Sequence, residues 1–167
     1  MRHLLISMGL ALVAAPSLAC DLNPEPSMYF DAEAVARVSI AEYRAHDEPL
    51  NTVHDIGHQI VPAILTLQVE ETYQGPEPAT WTVLWRGGRA EDVPRVRSAA
   101  RSFIAAIHAS GRPFPDAEYQ AFLGPVLDSD GTPLRELFQH PCQHALALIP
   151  FSPAAKTRMQ QALARGE

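Results

Sequence analysis

Histidine and cysteine are the residues of this chain whose types and spacing come nearest to a reactive site. In His140-Pro141-Cys142-Gln143-His144, two imidazoles flank a thiol, each two positions away. On a strand that spacing puts all three on one face. With a free thiolate they would form a copper or zinc half-site. The competing reading is that a disulfide consumes Cys142 and the histidines are solvated; Pro141 also interrupts a regular strand. His54-Asp55-Ile56-Gly57-His58 is the second constellation. His-x-x-x-His chelates a metal when helical, because positions i and i+4 share a face. Gly57 and nearby Pro62 oppose a helix, and Asp55 stands where a metalloprotease signature needs Glu. This stretch therefore reads as a loop with two solvated histidines.

Other reactive side chains have weaker contexts. Asp128-Ser129-Asp130-Gly131 resembles the start of a calcium loop but lacks the distal bidentate Glu, and reads as a hairpin tip. Ser39, Ser98, Ser102 and Ser110 sit in no nucleophile elbow, and there is no phosphate loop or dinucleotide fingerprint. Trp81 and Trp85 fall on one strand face, suited to stacking on a sugar or peptide if exposed and to core packing if not. The expectation is a chain with no tight metal site and no cofactor, binding a protein or small ligand rather than catalysing a reaction. A metal-binding protein or metal-dependent hydrolase built on His54, His58, His140 and His144 is the alternative.

These residues need elements to position them. Ala34 to Tyr43, Val61 to Tyr73 and Thr80 to Trp85 alternate as strands do. Gln74-Gly75-Pro76 and Arg86-Gly87-Gly88 end the second and third. Glu91 to Arg97 reads as a charged connector or short helix. Arg101 to Ala109 fits a buried strand or a helix, and Ser110-Gly111-Arg112-Pro113 stops either; the short run holding Phe103, Ile104 and Ile107 between breakers favours the strand. Leu127 to Thr132 predicts a hairpin tip, with Leu134 to Gln139 as the returning strand. The apolar run Ala145 to Ile149 follows. Ser152-Pro153 predicts a helix start, with the helix running through Ala154 to Ala164. Strands with short turns and one terminal helix predict a mainly β fold, a small antiparallel barrel.

The first nineteen residues set the compartment. Arg2 and His3 precede an apolar run from Leu4 to Ala15; Pro16 then breaks it, and Ser17-Leu18-Ala19 places small residues before Cys20. This is the pattern of a secretory signal peptide, residues 1–19, with cleavage before Cys20. Residues 20–167 then form one domain of 148 residues, periplasmic or secreted. Losing Arg2 turns 13 basic and 19 acidic residues into 12 and 19, a net charge of -7. That balance argues against nucleic acid and anionic membranes. No later apolar run reaches the length of a transmembrane helix. In an oxidising compartment, Cys20 and Cys142 are expected to form a disulfide. A loop this long would contribute about 4–5 kcal/mol on a chain-entropy model. Lipidation of Cys20 is the rival, although Ser17 stands where a lipoprotein signal usually has Leu.

The order of elements is similar to that of one family. DAEAVARVSI (Asp31 to Ile40) is followed by LQVEETYQGPEP (Leu67 to Pro78), then TWTVLW, a buried run, Pro141-Cys142 and a terminal helix. The chain resembles the netrin-like module of tissue inhibitors of metalloproteinases, and similar secreted bacterial proteins of unassigned function. Val69, Tyr73 and Gly75 stand at the family's strand-closing positions, with Gln74 where a basic residue is common. The resemblance implies a five-stranded barrel of oligonucleotide/oligosaccharide-binding type with helices packed against it. The animal inhibitors begin Cys-x-Cys and carry many cysteines; this chain has Cys20-Asp21-Leu22 and one other cysteine. An inhibitor presenting the Cys20 α-amino group to a partner's metal remains an alternative.

Overall fold

A computed structural model describes residues 29, 32–51, 59–109, 124–137 and 148–165 of the chain. The strands are β1 Ala34–Ala45, β2 Leu50–Asn51, β3 Gln59–Ile60, β4 Ala63–Gln74, β5 Thr80–Trp85, β6 Phe103–His108, β7 Arg135–Leu137 and β8 Leu148–Pro150. A 3-10 turn at Ala90–Asp92 leads into helix α1, Val93–Ala99, and helix α2 spans Pro153–Arg165.

Five strands close into a barrel in the order β1-β4-β5-β7-β6, with β6 returning to β1. Numbered along the chain, these are strands one, two, three, five and four, with α1 between the third and fourth. The fold is thus a small barrel of oligonucleotide/oligosaccharide-binding type with a C-terminal helix. One junction departs from the antiparallel expectation: β5 and β7 run parallel. After β5 the chain crosses by α1, runs back along β6 and returns as β7 in the direction of β5. The turn before β7 is the expected tip. Leu127 bridges Pro133, the Asp128 N–H donates to the Thr132 carbonyl at 2.8 Å, and Gly131 has φ +75°.

Alternation fills the barrel. Val38, Ile40, Leu65, Leu67, Trp81, Val83, Trp85, Phe103, Ile107 and Leu137 pack together inside, and Val93 of α1 joins them. Irregular register between β1 and β4, at Val35/Ala36, Arg37/Val38 and Ile40/Glu42, gives β1 the coil that closure requires. At Gly75, φ is +84° and a Cβ would stand 2.2 Å from the Glu33 carbonyl oxygen, so the turn after β4 admits only glycine.

Outside the barrel, α2 covers β1 and β6. The Ser152 hydroxyl caps it, accepting from the Ala155 N–H at 3.1 Å, with Pro153 as its first residue. Ala155, Met159 and Ala162 bury against Val35, Ile104 and Ala106. A second outer cluster joins Ile64 and Leu84 to Val126, Leu134 and Leu50. Among the described residues no helix is long and apolar enough to cross a membrane.

Candidate functional site: the outer face of β4 and β5

The register of three strands builds a polar surface. Ser39 of β1, Gln68 of β4 and Thr80 of β5 lie directly opposite one another, as do Glu42, Thr66 and Thr82. Ser39, Thr66, Gln68, Thr80 and Thr82 point away from the barrel interior, because their chain neighbours Ile40, Leu65, Leu67, Trp81 and Val83 point into it. The register skip between Ile40 and Glu42 sets Glu42 on the same outer side, opposite Thr66. Glu42, Gln68, Thr80 and Thr82 are exposed; Ser39 and Thr66 are half-buried. The Gln68 amide donates to the Ala79 carbonyl at 2.8 Å, which holds its side chain across the β4–β5 turn. The result is two ranks of hydroxyl, amide and carboxylate groups on a sheet surface, able to donate and accept hydrogen bonds.

Two excursions meet beside this face. The β1–β4 connection brings in Leu50, and the β6–β7 connection brings in Val126 and Leu134. All three cover Ile64 and Leu84, which continue the β4 and β5 outer faces beyond Thr66 and Thr82. Barrels of this topology bind their ligands on the outer face of strands two and three, between these same two loops.

The sequence-predicted site residues fall elsewhere. Trp81 and Trp85 do share a face, but it is the inner one, and each is only 3% exposed. Neither ring is presented to a ligand; the period-2 pattern places both residues together without saying on which side. Their chain neighbours Thr80 and Thr82 take the outward positions. Cys20, Cys142, His54, His58, His140 and His144, with residues 1–19, lie outside the described residues. Among the described residues no three His, Cys, Asp or Glu side chains gather as a metal site would require.

Two polar clusters went unread in the sequence. Arg86, Glu136 and His108 lie on the outer wall, all buried. Arg86 Nε donates to Glu136 Oε2 at 2.9 Å and Nη2 to Oε1 at 2.6 Å, a bidentate pair; Nη2 also donates to the Gly124 carbonyl at 3.0 Å. His108 stands opposite Glu136 in the β6–β7 register. This cluster holds the β6–β7 excursion against the wall. Its one sequence signal is an arginine at the end of an apolar strand.

The second cluster fastens α2. The Lys156 ammonium and the Tyr73 hydroxyl both donate to Glu71, the latter at 3.0 Å. Arg37 Nε lies 3.0 Å from Glu70 Oε2, an ion pair without the alignment of a hydrogen bond, and the Arg37 guanidinium sits 4.8 Å above the Phe151 ring. The Lys156 hydrogen bond leads the causes that hold Glu71 below the usual carboxylate range. Burial first, and then the bond to Glu71, push the Tyr73 hydroxyl up to about 12.

No family model, no curated protein and no solved structure matches this chain.

Proposed function

We propose that residues 20–167 form an exported, non-enzymatic binding module of netrin-like type, periplasmic or secreted, stapled by a Cys20–Cys142 disulfide. It takes a protein or small ligand on the outer face of β4 and β5. The observation that carries this reading is the pair of polar ranks, Ser39–Gln68–Thr80 and Glu42–Thr66–Thr82, lying open beside two loops that converge on Ile64 and Leu84. The closed five-strand barrel with α2 on its wall supports the netrin-like reading, since that is the architecture the resemblance implies. A barrel filled by Trp81, Trp85 and Phe103 directs binding to its outside.

Photo-crosslinking in the exporting cell tests the site. A photoreactive residue at Thr82 or Gln68 is expected to capture a specific partner or labelled ligand, and one at Gln160 on α2 is not. Equal capture from both faces, or none from β4 and β5, would overturn the site. Intact mass and metal analysis of the exported protein test the rest. The expected mass is that of a chain beginning at Cys20, two hydrogens lighter than the dithiol. A diacylglyceryl increment, or a stoichiometric metal lost in a His140→Ala/His144→Ala variant, would replace the reading with a lipoprotein or a metal protein.

A further inference from the structure

Beyond Val38, one edge of β1 pairs with none of the described strands and carries a self-complementary sequence. β6 pairs with β1 only from Ala34 to Val38, where Phe103 begins β6. Just beyond, the register against β4 skips Ala41, since Ile40 faces Leu67 and Glu42 faces Thr66. The extra residue bends the strand. From Ala41 to Ala45, β1 is exposed, and among the described residues no strand pairs with that edge. An open edge presents unpaired N–H and C=O groups that template another strand. At its centre lie Glu42, Tyr43 and Arg44. Tyr43 is 39% exposed, one of three large apolar side chains so placed among the described residues.

We propose that this edge pairs antiparallel with the β1 edge of a second copy, about a two-fold axis at Tyr43. Residues equidistant from the axis then face each other. Glu42 meets the partner's Arg44, and Arg44 meets the partner's Glu42, on the outer face. Tyr43 meets the partner's Tyr43 on the other face. Opposite charges and aromatic pairs are the favourable cross-strand combinations. The neighbouring axes lose both: one at Glu42 sets the two glutamates against each other, and one at Arg44 sets the two arginines together. Among the described residues Arg44 reaches Asp47, at 4.0 Å, and the Ala45 carbonyl, at 3.3 Å, both exposed contacts that re-pairing gives up at little cost. A two-fold contact of this kind closes, giving a dimer rather than a filament. It places the polar faces of both copies on the same side of one continuous sheet. The pairing does not depend on what that face binds.

Sedimentation equilibrium of the exported chain at physiological salt, over a wide concentration range, is the test; the net negative charge is then screened beyond about 8 Å. A reversible dimer is expected. Glu42→Arg and Arg44→Glu should each weaken it about tenfold or more, because each substitution makes two like-charge pairs. The double variant, carrying the same residues in exchanged order, should return within about threefold of the original affinity. Rescue by exchange separates pairing from a general effect on folding. A chain that stays monomeric throughout overturns the proposal and leaves the edge to a different protein's strand. A dimer indifferent to either single substitution, or a double variant no tighter than the singles, overturns it as well.

Discussion

Arg86 and Glu136, fifty residues apart, form a bidentate ion pair in which the two side chains are 2% and 1% exposed. Arg86 directly follows β5 and Glu136 lies in β7, so the pair ties together the parallel junction of the barrel. Removing one member leaves a charge buried without its counterpart, which typically costs about 3–5 kcal/mol. Glu136→Ala is expected to lower stability by that order in urea denaturation. A paired Arg86→Met/Glu136→Leu replacement should recover much of the loss, because it removes both desolvation penalties. A double variant as unstable as the single would show that the pair's other contacts, Gly124 included, carry the effect.

Gly88 lies against the indole of Trp85. A Cβ at this position would stand 2.1 Å from two of the ring carbons, and the ring is walled in by the barrel. Gly88→Ala therefore overpacks the interior, at a typical cost of about 1–3 kcal/mol. Shortening Trp85 to Leu should relieve that clash, so the double variant is expected to be more stable than the sum of its parts predicts. A double-mutant cycle by thermal or urea unfolding measures the coupling, and strict additivity would rule the contact out.

Ser152 sets the start of α2 through its 3.1 Å bond to the Ala155 N–H. Ser152→Ala is expected to cost about 1 kcal/mol, and Ser152→Asp to be nearly neutral. The measurement is the denaturation midpoint at constant slope. Equal losses for Ala and Asp would mean that the position acts by packing and not as a cap.

Local pattern made much of this fold legible. Thr80 to Trp85 reads as a strand residue for residue, because a short run of β-branched, aromatic and apolar side chains, alternating with hydroxyls at Thr80 and Thr82, stands between Pro78 and Gly87-Gly88. Ser152-Pro153 marks the start of α2 for the same reason: capping chemistry is local. What the pattern leaves open is partnership across long stretches of chain. Nothing near Arg135 says that β7 runs parallel to β5, or that Glu136 will meet Arg86. The same limit governs the site. Alternation assigns Trp81 and Trp85 to one face and Thr80 and Thr82 to the other. Only barrel closure decides that the threonines face solvent. The polar ranks also depend on register between β1, β4 and β5, including the skip at Ala41, which composition does not signal.

Stability should respond to pH on both flanks through the cluster that fastens α2. Glu71 accepts hydrogen bonds from Lys156 and Tyr73, and its folded pKa lies below its ordinary 4.5. Tyr73, ordinarily near 10.0, is pushed up to about 12. In acid the unfolded chain takes up the Glu71 proton more readily than the folded chain. The stabilisation from Glu71 is therefore present above its unfolded pKa and is lost as pH falls through the folded one. In alkali the unfolded chain releases the Tyr73 proton first. Stability should therefore decline from about pH 10 until the folded hydroxyl also ionises near 12. Urea midpoints across pH should fall on both sides. Glu71→Gln is expected to flatten the acid arm, and Tyr73→Phe the alkaline arm. Lys156→Ala removes the main cause of the Glu71 shift and should shallow the acid arm while leaving the barrel folded. Acid and alkaline arms unchanged in all three variants would place the pH dependence elsewhere in the molecule and leave the apolar contacts of Met159 and Ala155 to hold the helix alone.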